Sequence, residues 1–149
     1  MKKDKDRLYE LMYKVAGVEK KLLCEENLPL DKKQLIVNDF ISFVSERINI
    51  SENQPKVDMV FEETDFTQEN KSFAQYNPST YEIKVIGYNR NLADTLRSLA
   101  HELIHHKQNI NGELNEKSGE TGSQHENEAN ALAGQLMRDY GKQNPNIFE

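Results

Sequence analysis

Hydrophobic positions along the chain change their spacing twice. Over residues 6–26, Leu8, Leu11, Met12, Val15, Val18, Leu22 and Leu23 recur at the helical period, with Gly17 as a weak point in the middle. Asn27 and Pro29 interrupt that run. Asp31 then stands where an N-cap would open a second helix, reaching to about Ile48 and striped by Leu35, Ile36, Phe40, Phe43, Val44 and Ile48. After a polar break at 49–55 the spacing becomes extended. Residues 56–61, 72–76 and 81–86 read as strands, and Asn77-Pro78-Ser79-Thr80 joins the last two as a hairpin. Helical spacing returns from 92 to about 109. Residues 111–124, with Gly112, Gly119 and Gly122, read as a mobile loop, and a last helix spans about 124–140 before a tail containing Pro145. The order predicts an α+β fold: N-terminal helices, a small three-stranded, mostly antiparallel sheet, and two closing helices.

The length of 149 residues suits a single domain. Within it, residues 56–140 carry the motifs described below, and residues 1–50 form a helical layer whose role the sequence leaves open. A packing layer, an inhibitory segment and a docking surface for a protein partner all fit its mixed charge. Hydrophobic residues are 36% and charged residues 30%, lean but foldable. Net charge is −6, and the sign is uneven: residues 1–33 hold nine Lys/Arg against seven Asp/Glu, the remainder ten against eighteen. That balance argues against a nucleic-acid binder, which needs a concentrated basic surface. No apolar run approaches the roughly 20 residues of a membrane span. Residues 2–10 are charged where a signal peptide is apolar. The single cysteine, Cys24, precludes an internal disulfide, so a cytoplasmic location is expected.

The chemistry concentrates in His101-Glu102-Leu103-Ile104-His105, an H-E-x-x-H sequence within the 92–109 helix. Residues four apart share one helix face, so two imidazoles can bind one metal ion, and the intervening Glu102 can serve as a general base. At 100° per residue, Leu92, Leu96, Leu99, Leu103 and Ile110 form an apolar stripe. His101 and His105 fall nearly opposite, with Ser98 and Gln108, while His106 turns back towards the stripe and reads as structural. A catalytic zinc site takes three protein ligands. Gln108 and Asn111 stand where the metzincin continuation needs Gly and His, which excludes that class. His125, Glu126 and Glu128, at the start of the last helix, are the candidates for the third ligand.

Glu126-x-x-Ala129-Asn130, 21 residues beyond His105, resembles the gluzincin pattern of H-E-x-x-H followed by E-x-x-(S/A)-(D/N). Within that clan the chain looks most like the small ImmA/IrrE-type peptidases, over about residues 72–140. The resemblance implies a zincin-like fold, Zn2+ bound by His101, His105 and Glu126, Glu102 as general base, and Asn130 orienting the first histidine. It also implies that residues 81–91 supply the edge strand lying beside a peptide substrate. The function expected is a zinc-dependent metallopeptidase acting on a peptide or protein. The alternative is a metal-binding interaction module that does not cleave, although such a module has no need of Glu102. Deformylases share only H-E-x-x-H and need a metal-binding cysteine, which Cys24 does not match, and SprT-type proteases add a third histidine and a basic extension. Tyr140, His125, Tyr88 and Arg90 are candidate donors to an oxyanion.

Overall fold

The computed structural model describes residues 29–64, 72–113 and 123–144. The helix expected over 6–26, Cys24, most of the 111–124 loop and the tail beyond 144 lie outside the described residues. The rest has the α+β character read from the sequence.

Helix α1 runs Leu30–Arg47. Its N-cap is Pro29, not Asp31: Pro29 holds an extended conformation, and its carbonyl accepts from Lys32 N and Lys33 N at 3.1 and 3.0 Å. Proline fixes φ and needs no donor there, so the helix starts one residue ahead of the carboxylate. Asp31 falls instead in the first turn, where it complements the helix dipole. Ile36, Val37, Phe40, Phe43 and Val44 of this helix are buried, a wider arc than the expected stripe because the helix meets two others.

The strands are β1 Lys56–Val60, β2 Ala74–Asn77 and β3 Glu82–Ile86. The hairpin of β2 and β3 forms as expected, with Ala74 opposite Val85 and Tyr76 opposite Ile83. Its turn closes through Tyr81 N to the Asn77 carbonyl at 2.9 Å, while Asn77 Oδ1 accepts from Ser79 N. Tyr81 takes a φ of 58°, the left-handed region that lets a four-residue turn re-enter the strand. β1 pairs with β3 in parallel, so the sheet is mixed and its order is β1-β3-β2. Strand β3 is therefore the middle of the sheet. The edge strand expected at 81–91 is a correction: both sides of β3 are already paired, and the edges belong to β1 and β2. Val57, Met59, Ala74, Tyr76, Ile83 and Val85 turn one face of the sheet to the core, leaving Lys56, Asp58, Gln75 and Lys84 on the other.

Helices α2, Leu92–Ile110, and α3, Gln124–Gln143, close the domain. Asn91 Oδ1 caps α2 by accepting from Ala93 N at 2.7 Å, and Ser123 Oγ caps α3 by accepting from Glu126 N at 3.1 Å. Leu96, Leu99, Ala100, Leu103 and Ile104 are fully buried, whereas Ile110, expected in that stripe, is 37% exposed at the end of the helix. From α3, Ala129, Ala133, Leu136 and Tyr140 are buried. Tyr140 packs edge-on against Phe40 at 4.9 Å between ring centres, and its hydroxyl donates to the buried Asp39 at 3.0 Å. Arg47 joins Asp139 at 3.2 Å, pinning the far end of α3 to α1. Among the described residues, no helix is long and apolar enough to cross a membrane.

Gly87 marks a tight join between the sheet and α2. A β-carbon there would lie 2.6 and 2.7 Å from two atoms of the Phe61 ring and 3.2 Å from the Thr95 methyl. Gly87→Ala is expected to cost about 1–3 kcal/mol by overpacking, read as a lower urea midpoint. Adding Phe61→Leu should return part of that loss, and purely additive effects of the two changes would contradict the ring contact.

Candidate metal centre

The amphipathic division of α2 fixes where its polar side chains point. With the leucine face buried, His101 and His105 emerge on the opposite face, one turn apart, and meet the first turn of α3. The pairing runs antiparallel: Gln108 reaches the His125 carbonyl, His105 meets Glu126, His101 meets Asn130, and Arg97 lies beside Gly134. Ala129 and Ala133 are small enough to bring the two helices close.

Glu126 bridges the two imidazoles. Its Oε1 lies 2.9 Å from His101 Nε2 and its Oε2 lies 3.0 Å from His105 Nε2, while the two Nε2 atoms are themselves 3.0 Å apart. One ligand atom from each of the three residues falls within a 4.8 Å span. Glu126 occupies the third helical position after Ser123, where a glutamate commonly folds back onto the cap. Here Ser123 still caps Glu126 N, but the carboxylate is turned to the histidines instead. His125 and Glu128, the other candidates for a third ligand, lie outside this cluster.

Gln108 sets the tautomer of His105. Its Nε2 donates to the His125 carbonyl at 3.1 Å and to Glu128 Oε1 at 3.3 Å, which leaves its Oε1 to accept from His105 Nδ1 at 2.8 Å. In the neutral ring, His105 Nε2 then carries a lone pair and faces Glu126 and His101 Nε2. Two lone pairs and a carboxylate converging on one point suit a divalent cation, so the donor set fits a metal ion. Asn130 accepts a hydrogen bond from the His101 ring. The Gln108 clamp was missed at sequence level. Its place on the histidine face was legible, but its acceptors, a backbone carbonyl and a residue of α3, are contacts that only folding creates.

Burial governs the charges. It pushes the His101 imidazole below its usual range, reinforced by His105 and opposed by Glu126 and Asn130. It also drives the Glu102 carboxyl up to about 7, with His105 acting against the shift and Glu126 adding to it. Glu102 lines a cleft of about 380 Å³ together with His101, Glu126, Asn130 and the lead-in to β2 at Phe73 and Ala74. The strand wall of this cleft is thus β2, not β3.

His106 is the structural residue its helix position suggested. It is 2% exposed, and its Nε2 donates to the Asn53 carbonyl at 2.6 Å, so Nδ1 accepts from the Tyr76 hydroxyl at 2.7 Å. Asn109 Nδ2 donates to the same hydroxyl at 2.9 Å. These contacts hold β2 beside the cleft. Of the candidate oxyanion donors, Tyr140 is excluded: it is buried against Asp39. Arg90 is committed to the Ile86 and Asp94 carbonyls and to Ser98 Oγ. Tyr88 donates to Glu63 at the surface. His125 contributes its carbonyl to the Gln108 clamp.

Compared with known protein families, residues 41–142 match the model of the IrrE N-terminal-like domain, a peptidase family. The chain belongs to this family. Comparison with curated proteins and with solved structures gives no match. Membership in the IrrE N-terminal-like family makes this a metallopeptidase-like domain, and the His101, His105 and Glu126 cluster lies inside the matched span.

The metal-free protein offers a direct check on the buried carboxylate. Because Glu102 has a pKa of about 7 when folded against an ordinary 4.5, the folded state binds its proton more tightly than the unfolded state. Its ionisation therefore costs nothing below the unfolded value, costs progressively more as pH rises, and levels off above about 7. At 1.36 kcal/mol per pKa unit the full cost is on the order of 3 kcal/mol. In chelator-treated protein, Glu102→Gln should raise the unfolding midpoint at about pH 8 and leave it nearly unchanged at about pH 4. An equal gain at both would contradict a buried, strained carboxylate.

Proposed function

We propose that this chain is a zinc-dependent peptidase in which His101, His105 and Glu126 hold the metal. The observation that carries the reading is the convergence of those three ligand atoms, from two helices, within 4.8 Å. Two nitrogens and one carboxylate oxygen, with a fourth position left for water or substrate, form a donor set characteristic of catalytic zinc. Zinc held there supplies Lewis acidity, polarising a carbonyl and lowering the pKa of water towards about 7.

The remaining roles fall to the chain's own groups. Glu102 lines the cleft one position along from His101 and takes a proton from the attacking water, then passes it to the leaving amine. Its burial, which raises its affinity for a proton, suits that receiving role. Gln108 fixes the His105 ring, and Asn130 fixes the His101 ring, so each imidazole presents Nε2 to the metal. Strand β2 has one edge unpaired among the described residues and flanks the cleft. An extended peptide can align along it through main-chain hydrogen bonds.

Removing one ligand and removing its support should differ in degree. Glu126→Ala is expected to lose stoichiometric zinc and Gln108→Ala to weaken it by about 10- to 100-fold, whereas Glu128→Ala retains it. Competition against a chromophoric chelator reads all three. Stoichiometric, undiminished zinc in Glu126→Ala would overturn the ligand set.

Turnover is tested separately with an unfolded protein as substrate. Glu102→Gln should keep one zinc per chain and lose at least about 100-fold in rate, the scale of general-base catalysis. Equal rates in both proteins would remove Glu102 from the reaction, and cleavage by neither would leave a metal-binding module.

A further inference from the structure

Arg97, in the wall of the metal cleft, and Arg138 of α3 both bring a guanidinium to Gly134 with no carboxylate between them among the described residues. Arg97 sits one turn before His101 on α2 and lines the same cleft as His101 and Glu102. Across the helix interface stands Gly134, one turn after Asn130 on α3. At the position a Gly134 β-carbon would take, the nearest atoms are Arg97 Nη2 at 3.5 Å and Arg138 Nη1 at 3.9 Å. Both guanidiniums therefore border the space above a residue with no side chain. Arg138 Nη2 donates to the neutral Gln135 amide at 2.8 Å. Among the described residues neither arginine has an Asp or Glu oxygen within salt-bridge distance, although the chain as a whole has a net charge of −6. Arg90, whose partner Ser98 lines the same cleft, is by contrast consumed by two carbonyls, Ser98 and the Phe73 ring.

Two adjacent like charges repel, and a native surface ordinarily intersperses an acid between them. Their juxtaposition beside a cleft, above a glycine that leaves the space between them open, matches the needs of a planar anion that accepts hydrogen bonds from two forks. Resting on the peptidase reading, we propose that Arg97 and Arg138 form a carboxylate-recognition subsite that selects peptides with a negative charge close to the bond placed at the metal. The shared chemistry is a carboxylate. It comes either from an acidic side chain or from the free C-terminus of the peptide.

Fluorescence anisotropy of labelled ten-residue peptides tests this on the full chain, supplied with zinc and carrying Glu102→Gln to prevent turnover. Three peptides differ only in charge: a neutral sequence ending in an amide, the same with one Gln changed to Glu at successive positions, and the neutral sequence ending in a free carboxylate. A peptide of the second or third kind should bind about tenfold more tightly than the first, with an advantage that shrinks as salt is raised. Which one does so identifies the source of the carboxylate. Arg97→Gln with Arg138→Gln should erase the advantage. Gly134→Asp, which places a carboxylate between the two guanidiniums, should erase it as well, and Arg97→Glu with Arg138→Glu should turn the preference towards a Lys-bearing peptide. Equal or undetectable binding of all three peptides, or a preference that survives these changes, overturns the subsite. The peptidase reading does not fall with it, because the turnover of wild type against Glu102→Gln decides that independently.

Discussion

Glu126 reaches two imidazoles at 2.9 and 3.0 Å from a different helix, and such a bridge tolerates little error in the relative position of α2 and α3. A shift of one residue along either helix, about 1.5 Å, would break one contact or both. Much of the domain acts to prevent that shift. Ala129 and Ala133 bring the helices together near the site, and Gln108 ties α2 to the His125 carbonyl in the first turn of α3. At the other end of α3, Tyr140 with Asp39 and Asp139 with Arg47 fasten it to α1. The antiparallel pairing is thus clamped at both ends, with the three candidate ligands close to one clamp.

That clamp also explains how so many ionisable groups share a small volume. His101, Glu102, His105 and Glu126 are each at least half shielded from solvent, and burial disfavours the charged forms of His101 and Glu102. The directions agree: the His101 imidazole is pushed down and the Glu102 carboxyl up. Glu126 lies in the first turn of α3, where the helix dipole favours an anion. A site with one carboxylate in the first turn of a helix and a second carboxyl that burial drives up to about 7 is chemically asymmetric. The second suits proton exchange.

Much of this was legible in the sequence, and the parts that were not share a cause. The H-E-x-x-H spacing, the leucine stripe and the turn of His106 towards the core all follow from the angular period of one helix, which is local information. Glu126 and Asn130 were legible through their spacing in a second motif. The sheet was harder. Strands 81–86 and 72–76 were found as a hairpin, but the position of β3 between β1 and β2 depends on a parallel pairing across some twenty residues, and the alternation of side chains does not encode neighbour order. For the same reason the strand beside the cleft is β2, although both strands have suitable patterns. Asp31 was expected at the cap, but Pro29, two residues earlier, takes that place because its fixed φ and missing N–H suit a helix start. Gln108 and Arg97 acquire their partners only from α3, so no window of sequence around them could show what they do.

The consequence for α2 is that its faces cannot vary independently. Leu96, Leu99 and Leu103 anchor it, His101 and His105 face α3, Glu102 opens on the cleft, and His106 with Asn109 grips Tyr76 of β2. His105 and His106 are neighbours separated by about 100° of helix rotation, yet one meets the carboxylate and the other holds the cleft's strand wall. A rotation of the helix that improved either contact would spoil the other. Position of the strand wall and position of the ligands are therefore set by one rigid element. The core packing of α2 thus fixes the distance between the β2 wall of the cleft and the His101 and His105 pair.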